Sequence, residues 1–287
     1  MTYKLRENTA IIRDAVAQIF EEVDPPMTVR QMFYALETRG LVPKTENGYR
    51  ATDRHLLKMR RTGILPYSYI ADNTRWMRKP NTYNNLEAFL AESQASYRRA
   101  LWHGQGCYIE IWIEKDALAG VFYDITGRFD VPLMVTRGYS SETFLYTAAQ
   151  QIKERSPTDA VYIYYFGDHD PSGKNISETV ERRLSEFGAV FEFNQVAVLP
   201  EQIERWNLPT RPTKKTDTRA KSFKGDSVEL DAIPVNELRN LINDCIWGHV
   251  DQEVMRNTLK IEAAERATLA AVRKNLVLVP DSEEAAP

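Results

Sequence analysis

Three carboxylates in this sequence stand where a metal-dependent reaction needs them. Glu114 closes the run Tyr108-Ile109-Glu110-Ile111-Trp112-Ile113, and Asp168 and Asp170 follow Tyr162-Ile163-Tyr164-Tyr165-Phe166-Gly167. In open parallel sheets ligands gather outside the carboxyl ends of the strands, so acids from two strand ends can converge there. Carboxylate oxygens suit Mg²⁺, with Mn²⁺ as a substitute, and such ions keep positions for water and substrate phosphate. Pro171-Ser172-Gly173 then turns the chain into a helix. Each residue has a plainer reading: an Asp before Pro-Ser-Gly commonly caps a helix, and Glu114 can pair with Lys115. The joint placement of all three on strand ends of one sheet favours the metal.

A second group lies near the N-terminus, in Thr28-Val29-Arg30-Gln31-Met32-Phe33-Tyr34. If Val29, Met32, Phe33 and Leu36 face the core, then Arg30 and Tyr34, four residues apart, share a neighbouring face that reaches the surface. A guanidinium one turn from a phenol can hold a phosphate while the phenol attacks. A tyrosine of ordinary pKa, about 10, needs such help. The plainer reading is a boundary tyrosine packed beside Phe33, one of fourteen in the chain.

The elements that must position these groups follow from periodicity and punctuation. Ile11, Ile12, Ala15, Val16, Ile19, Phe20 and Val23 recur at helical spacing until Pro25-Pro26, and Thr28 caps a second helix ending at Gly40. A polar loop around Asn47-Gly48 precedes a basic third helix from about 52 to 62, with Leu56 and Leu57 inward. Ile64 to Ile70 reads as a strand or wing. Three short helices and a wing predict a winged helix-turn-helix domain over 1–80. A linker and connecting helix occupy 81–105. Strands at 107–113, 133–136, 161–166 and 190–198 then alternate with helices at 116–129, 142–155 and 172–187, which predicts βαβ units around a mainly parallel, Rossmann-like sheet. That α/β domain runs over 106–280 with a helical extension, and the acidic tail 281–287 reads as disordered.

The chain has 287 residues, 37 Lys+Arg against 40 Asp+Glu, and 43% hydrophobic residues, which suits folded domains rather than a disordered chain. Cys107 and Cys245 make neither a disulfide framework nor a zinc cluster. No long apolar run occurs, so no membrane partner and a cytoplasmic location are expected. Basic charge is concentrated in two segments. Residues 50–79 carry eight Lys/Arg against two Asp, and residues 205–224 carry seven against one. Local charge governs contact with phosphates, so Arg54, Lys58, Arg60 and Arg61 of the third helix, together with Arg137, Lys214, Lys215 and Arg219, are candidate contacts to double-stranded DNA. A solvated basic face is the alternative. His169 is either a contact to phosphate or to the metal's surroundings or a solvent-facing spacer, and the spacer is favoured; Glu229 and Asp231 either add a carboxylate to the site or start the following helix, and the helix start is favoured.

Three segments carry a family resemblance: Ile113-Glu114-Lys115-Asp116-Ala117-Leu118, Val135-Thr136-Arg137-Gly138-Tyr139-Ser140-Ser141, and Gly167-Asp168-His169-Asp170-Pro171-Ser172-Gly173. Together they resemble the Toprim domain, in the variant found in the A subunit of type IIB topoisomerases (topoisomerase VI) and the meiotic double-strand-break protein. That family places a winged-helix domain with a catalytic tyrosine before the Toprim domain, and Tyr34 is the matching position. The resemblance covers roughly residues 10–240, in a chain shorter than those A subunits and similar to compact phage, plasmid or bacterial versions. It implies Mg²⁺ held by Glu114, Asp168 and Asp170, attack by Tyr34 assisted by Arg30, and a double-strand break with 5′-phosphotyrosyl links. It also implies a homodimer whose tyrosine and metal come from different subunits, and a separate ATPase subunit, since no Gly-rich nucleotide loop occurs here. The rival expectations are a Toprim nuclease in which water attacks and a non-catalytic winged-helix DNA-binding regulator.

Overall fold

A computed structural model describes residues 2–71, 80–138, 140–212, 223 and 225–275, with backbone alone for 2–8. Its elements are α1 (Thr2–Glu22), α2 (Val29–Thr38), α3 (Glu46–Arg61), α4 (Leu86–Ser96), β1 (Cys107–Ile113), α5 (Ala119–Thr126), β2 (Leu133–Val135), α6 (Glu142–Arg155), β3 (Ala160–Phe166), α7 (Pro171–Glu186), β4 (Glu192–Ala197), α8 (Pro200–Arg205), α9 (Val235–Trp247) and α10 (Gln252–Asn275). Short 3-10 turns lie at Tyr67–Tyr69, Asp116–Leu118 and Leu230–Ala232.

The four strands form one parallel sheet in the order β2-β1-β3-β4, as the strand and helix alternation predicts. Strand β1 is buried along nearly its whole length, as its apolar residues require, with Glu110 the one charged residue among them. Trp112, Ile163 and Tyr165 pack one face against Leu145, Ala149 and Ile152 of α6 and Ile176, Val180 and Leu184 of α7. The compact units do not follow chain order. One comprises Met1–Arg75 with Cys107–Gly248, so the first three helices and the sheet share a single unit. The other comprises Trp76–Gly106 with His249–Pro287. In it α4 and α10 associate, and Glu265 accepts from the Tyr97 hydroxyl at 2.7 Å and from Arg99 at 2.6 Å.

The N-terminal elements depart from expectation in three places. Helix α3 starts at Glu46 rather than near 52, so Asn47-Gly48 is its first turn and not a loop. Thr45 caps it by accepting from the Gly48 N–H at 3.1 Å, and a Cβ on Gly48 would stand 2.1 Å from the Pro43 carbonyl oxygen. The inward residues of α3 are Thr52, Leu56 and Met59, with Leu57 only half-buried. The segment from Ile64 to Ile70 is not a strand. It is a turn and a 3-10 helix, and Ile70 alone makes an isolated parallel bridge to Met27. Aromatic and β-branched content gave that stretch strand propensity, but a strand also needs a partner edge.

Candidate active site

The expected tyrosine, Arg30 and the three carboxylates each sit on an identifiable local structure. Helix α2 begins with a full capping box: the Thr28 hydroxyl accepts from the Gln31 N–H at 3.1 Å, and the Gln31 side chain accepts from the Thr28 N–H at 2.9 Å. Met32, Phe33 and Leu36 are buried as the stripe predicts, and Gln31 and Tyr34 are buried too. Tyr34 is only 5% exposed, so it does not reach the surface in the way its spacing from Arg30 suggested. Burial comes from the turn at Leu230–Ala232, which packs on α2 from nearly 200 residues away.

The Tyr34 hydroxyl accepts a hydrogen bond from Arg211 Nη2 at 2.9 Å. Arg211 Nη1 is ion-paired with Glu229 Oε1 at 2.7 Å, and Arg30 Nη1 holds Glu229 Oε2 at 2.6 Å. One carboxylate thus joins the two guanidinium groups. Burial would raise the Glu229 pKa, but Lys115, Arg30 and Arg211 pull it down to about 2, so it is ionised at neutral pH. The same surroundings act differently on Tyr34. Burial, then Glu229, push its phenol up to about 12, while Arg211, Arg30 and Lys115 oppose the rise.

The network continues to the strand ends through Lys115. Its ammonium lies 2.7 Å from Asp231 Oδ2, 3.1 Å from Asp168 Oδ1 and 3.4 Å from Glu229 Oε2. Lys115 therefore turns away from its neighbour Glu114 and gathers three acids from two distant segments. Burial would lower its pKa, but these acids raise it above the ordinary lysine value. The segment that brings Glu229 and Asp231 is placed by backbone pairing: His169 and Val228 exchange both N–H···O bonds, at 2.8 and 2.9 Å. His169 is thus half-buried, beside Phe223, rather than a solvent-facing spacer. Glu229 precedes the helical turn, but both it and Asp231 also belong to the site, and Asp231 is 2% exposed.

Glu114 and Asp168 meet at the carboxyl ends of β1 and β3. Glu114 Oε2 accepts from the Asp168 N–H at 3.2 Å. Burial, then the charges of Asp168 and Asp170, push the Glu114 carboxyl up to about 7. Asp168 Oδ1 accepts from the Leu230 N–H at 2.8 Å as well as pairing with Lys115, yet burial outweighs these contacts and its pKa is also raised. Asp170 caps α7, its Oδ1 accepting from the Gly173 N–H at 2.7 Å.

Among the described residues, no three His, Cys, Asp or Glu side chains surround one point as a ready metal cage. The donors nonetheless suit Mg²⁺ or Mn²⁺ in kind. All are carboxylate oxygens, and burial, with the nearby charges of Asp168 and Asp170, disfavours the ionised Glu114 carboxylate in a way that a divalent ion would offset.

The other candidates are dispersed. Arg54, Lys58 and Arg61 are exposed on α3, while Arg60 lies over the Tyr67 ring at 5.5 Å. Arg137 is exposed after β2 and pairs with Asp116 at 3.1 Å. Lys214, Lys215 and Arg219 lie outside the described residues. No helix among the described residues is long and apolar enough to cross a membrane. Comparison with protein-family models and with curated proteins by sequence returns no match.

Proposed function

We propose that this chain cleaves DNA by transesterification, with Tyr34 as the nucleophile and the carboxylates at the ends of β1 and β3 as the charge-handling centre. The observation that carries this reading is the unbroken line of contacts from the Tyr34 hydroxyl through Arg211, Glu229 and Lys115 to Asp168. The Toprim-like segments and the tyrosine segment resemble one family, and this line joins them within a single chain. The implied exchange of tyrosines between subunits is therefore not required to bring Tyr34 to the charged network.

In the reaction, Tyr34 Oη attacks a backbone phosphorus and the bond to the 3′ oxygen breaks. The phenolic proton is lost and the 3′ oxygen gains one, so one phosphodiester is exchanged for another and resealing is the same step reversed. Arg211 holds the phenol oxygen, and with Arg30 it offers donors to the phosphate oxygens once Glu229 yields them. A divalent ion held by Glu114, Asp168 and Asp170 would supply further neutralisation of the phosphate charge. Lys115 fixes the Asp168 carboxylate.

The burial of Tyr34 favours one rival, a nuclease in which water attacks and Tyr34 only packs. Duplex DNA labelled at its 3′ ends, incubated with the chain and Mg²⁺ or Mn²⁺ and then denatured, separates the two. Protein covalently retained on newly made 5′ ends, and lost in Tyr34→Phe, is the expected result. Cutting that persists in Tyr34→Phe without any adduct establishes the nuclease. Binding with no cutting under either ion leaves a DNA-binding regulator.

A further inference from the structure

Next to the Tyr34–Arg211 contact lies a cavity of about 370 Å³ that shares Arg30 and Arg211 with the proposed reaction but whose Lys44, Thr45, Glu46 and Tyr49 wall the cleavage step leaves without a role. Its wall contains three cations, Arg30, Lys44 and Arg211, and two aromatic rings, Phe33 and Tyr49, with Thr45 and Glu46 completing it. The negative charge there is largely engaged. Glu46 Oε1 is paired with Arg50 at 3.2 Å, and Glu229 is shared between Arg30 and Arg211. Lys44 differs from the two arginines. Its ammonium donates to the neutral Thr210 carbonyl oxygen at 2.7 Å, and among the described residues no carboxylate is paired with it. An ammonium has three donors, so a neutral acceptor leaves both charge and donors available. Burial holds its pKa below the ordinary lysine value, with Arg211 adding to the fall and the charges of Glu37, Glu229 and Asp226 opposing it. Arg30 lies over the Tyr49 ring at 5.2 Å, and Tyr49 meets Phe33 edge-on at 5.7 Å, so the aromatic wall is fixed alongside the cations.

Cations that converge on an open polar cavity beside flat rings recognise a phosphate and the nucleoside attached to it. We propose that this cavity binds a phosphate group of a nucleic-acid strand next to the phosphodiester at Tyr34, with Lys44 as its principal contact and Tyr49 beside the nucleoside. Arg211 links the two positions, since it lines the cavity and donates to the Tyr34 hydroxyl. The inference rests on the reading of the chain as a nucleic-acid-processing protein, but it concerns binding alone.

The test is fluorescence anisotropy on the full chain in EDTA, with a labelled oligonucleotide as single strand and as duplex, across a salt series. Lys44→Ala should weaken binding roughly tenfold and flatten the slope of log K against log salt by about 0.7 for a single strand or 0.9 for a duplex. Lys44→Arg should restore most of the loss. Arg182→Ala, which removes an exposed charge on α7, should leave the slope nearly unchanged. Inorganic phosphate should compete with the oligonucleotide in wild type and lose that effect in Lys44→Ala. Unchanged affinity and slope in Lys44→Ala overturn the proposal, as does phosphate binding that depends on Lys44 without competing with oligonucleotide. Because no divalent ion is present, Lys44-dependent binding without a covalent adduct in the cleavage assay removes the tyrosine reaction and leaves this site standing. An adduct accompanied by Lys44-independent binding does the reverse.

Discussion

Lys115 is the cation around which Asp168, Glu229 and Asp231 are arranged, and its removal tests how far these acids depend on it. Lys115→Met keeps most of the stem but leaves three carboxylates, one of them 2% exposed, without their shared partner. Breaking a buried pair in this way costs about 3 kcal/mol. The expected result is a lower urea midpoint at neutral pH, with part of the loss regained at pH 4 as the acids take up protons. A midpoint equal to wild type at neutral pH would show that the acids do not need the lysine.

Glu110 gives a second test at this scale, away from the site. It is fully buried on β1, where it accepts from Trp112 Nε1 at 2.7 Å and from the Tyr108 hydroxyl at 3.0 Å. Burial pushes its carboxyl up, against the opposing pull of both hydrogen bonds. The folded state therefore binds more protons than the unfolded one. The contribution of Glu110 to stability is fully present below the unfolded carboxyl value, about 4.3, and declines as pH rises through its folded value. Glu110→Gln keeps both partners, because the amide oxygen can accept from Trp112 and the amide nitrogen can donate to Tyr108. The variant should therefore gain stability relative to wild type as pH rises from 4 to 8, read from thermal melts at each pH. A constant difference across that range would mean that Glu110 does not titrate differently on folding.

The residue scale also shows why parts of the site were hidden in the sequence. Glu114 and the Asp168/Asp170 pair could be found because strand ends and turn residues mark them. Lys115 enters the sequence reading only as an alternative partner for Glu114, because the two are adjacent. Its backbone is extended, at φ −100° and ψ 113°, and successive side chains in extended backbone point to opposite sides. Adjacency thus separated the pair. Tyr34 was read as surface-facing because a single apolar stripe implies a single packed face. Helix α2 is covered on a second face by the 230–232 turn, and no local pattern announces a contact from that distance.

At the scale of elements, caps and close approaches set where the candidate site residues stand. The turn from Asp168 to α7 is tight enough that a Cβ on Gly173 would stand 2.2 Å from the Asp168 carbonyl oxygen. Gly173→Ala must therefore shift that backbone, at a cost of about 2 kcal/mol, typical of overpacked sites. Its hydrogen bond to Asp170 and the position of Asp168 are disturbed together. The expected outcome is loss of DNA cleavage greater than the loss of fold measured by circular dichroism. Full activity would show that the Asp168–Asp170 turn is not a fixed part of the site. The capping signal of Thr28 before α2 was legible because a cap is a local hydrogen bond, and Ser141 caps α6 in the same way. The wing was not, because strand pairing is decided by another segment. The strands β1 and β3 were legible for the opposite reason: both are central strands of the parallel sheet, with β1 buried along nearly its whole length and β3 at Val161, Ile163, Tyr165 and Phe166.

For the molecule as a whole, the site depends on the first 75 residues and the sheet belonging to one compact unit. The ties between them are specific. Arg30 meets Glu229 at 2.6 Å, Arg239 donates to the Asp24 and Pro26 carbonyl oxygens at 2.5 and 3.0 Å, and Lys44 donates to Thr210. A partly buried network of this kind, running between α2 and the strand ends, couples the stability of the two parts. Glu229→Ala removes the carboxylate shared by Arg30, Arg211 and Lys115, so its loss should be felt on both sides. Amide hydrogen exchange should then accelerate in α2 and in the residues after β3 by similar factors, within a single unfolding transition for this unit. Two separated transitions, or acceleration confined to one side, would mean that Tyr34 and the carboxylates are held by independent folding units, and the line of contacts between them would lose its mechanical basis.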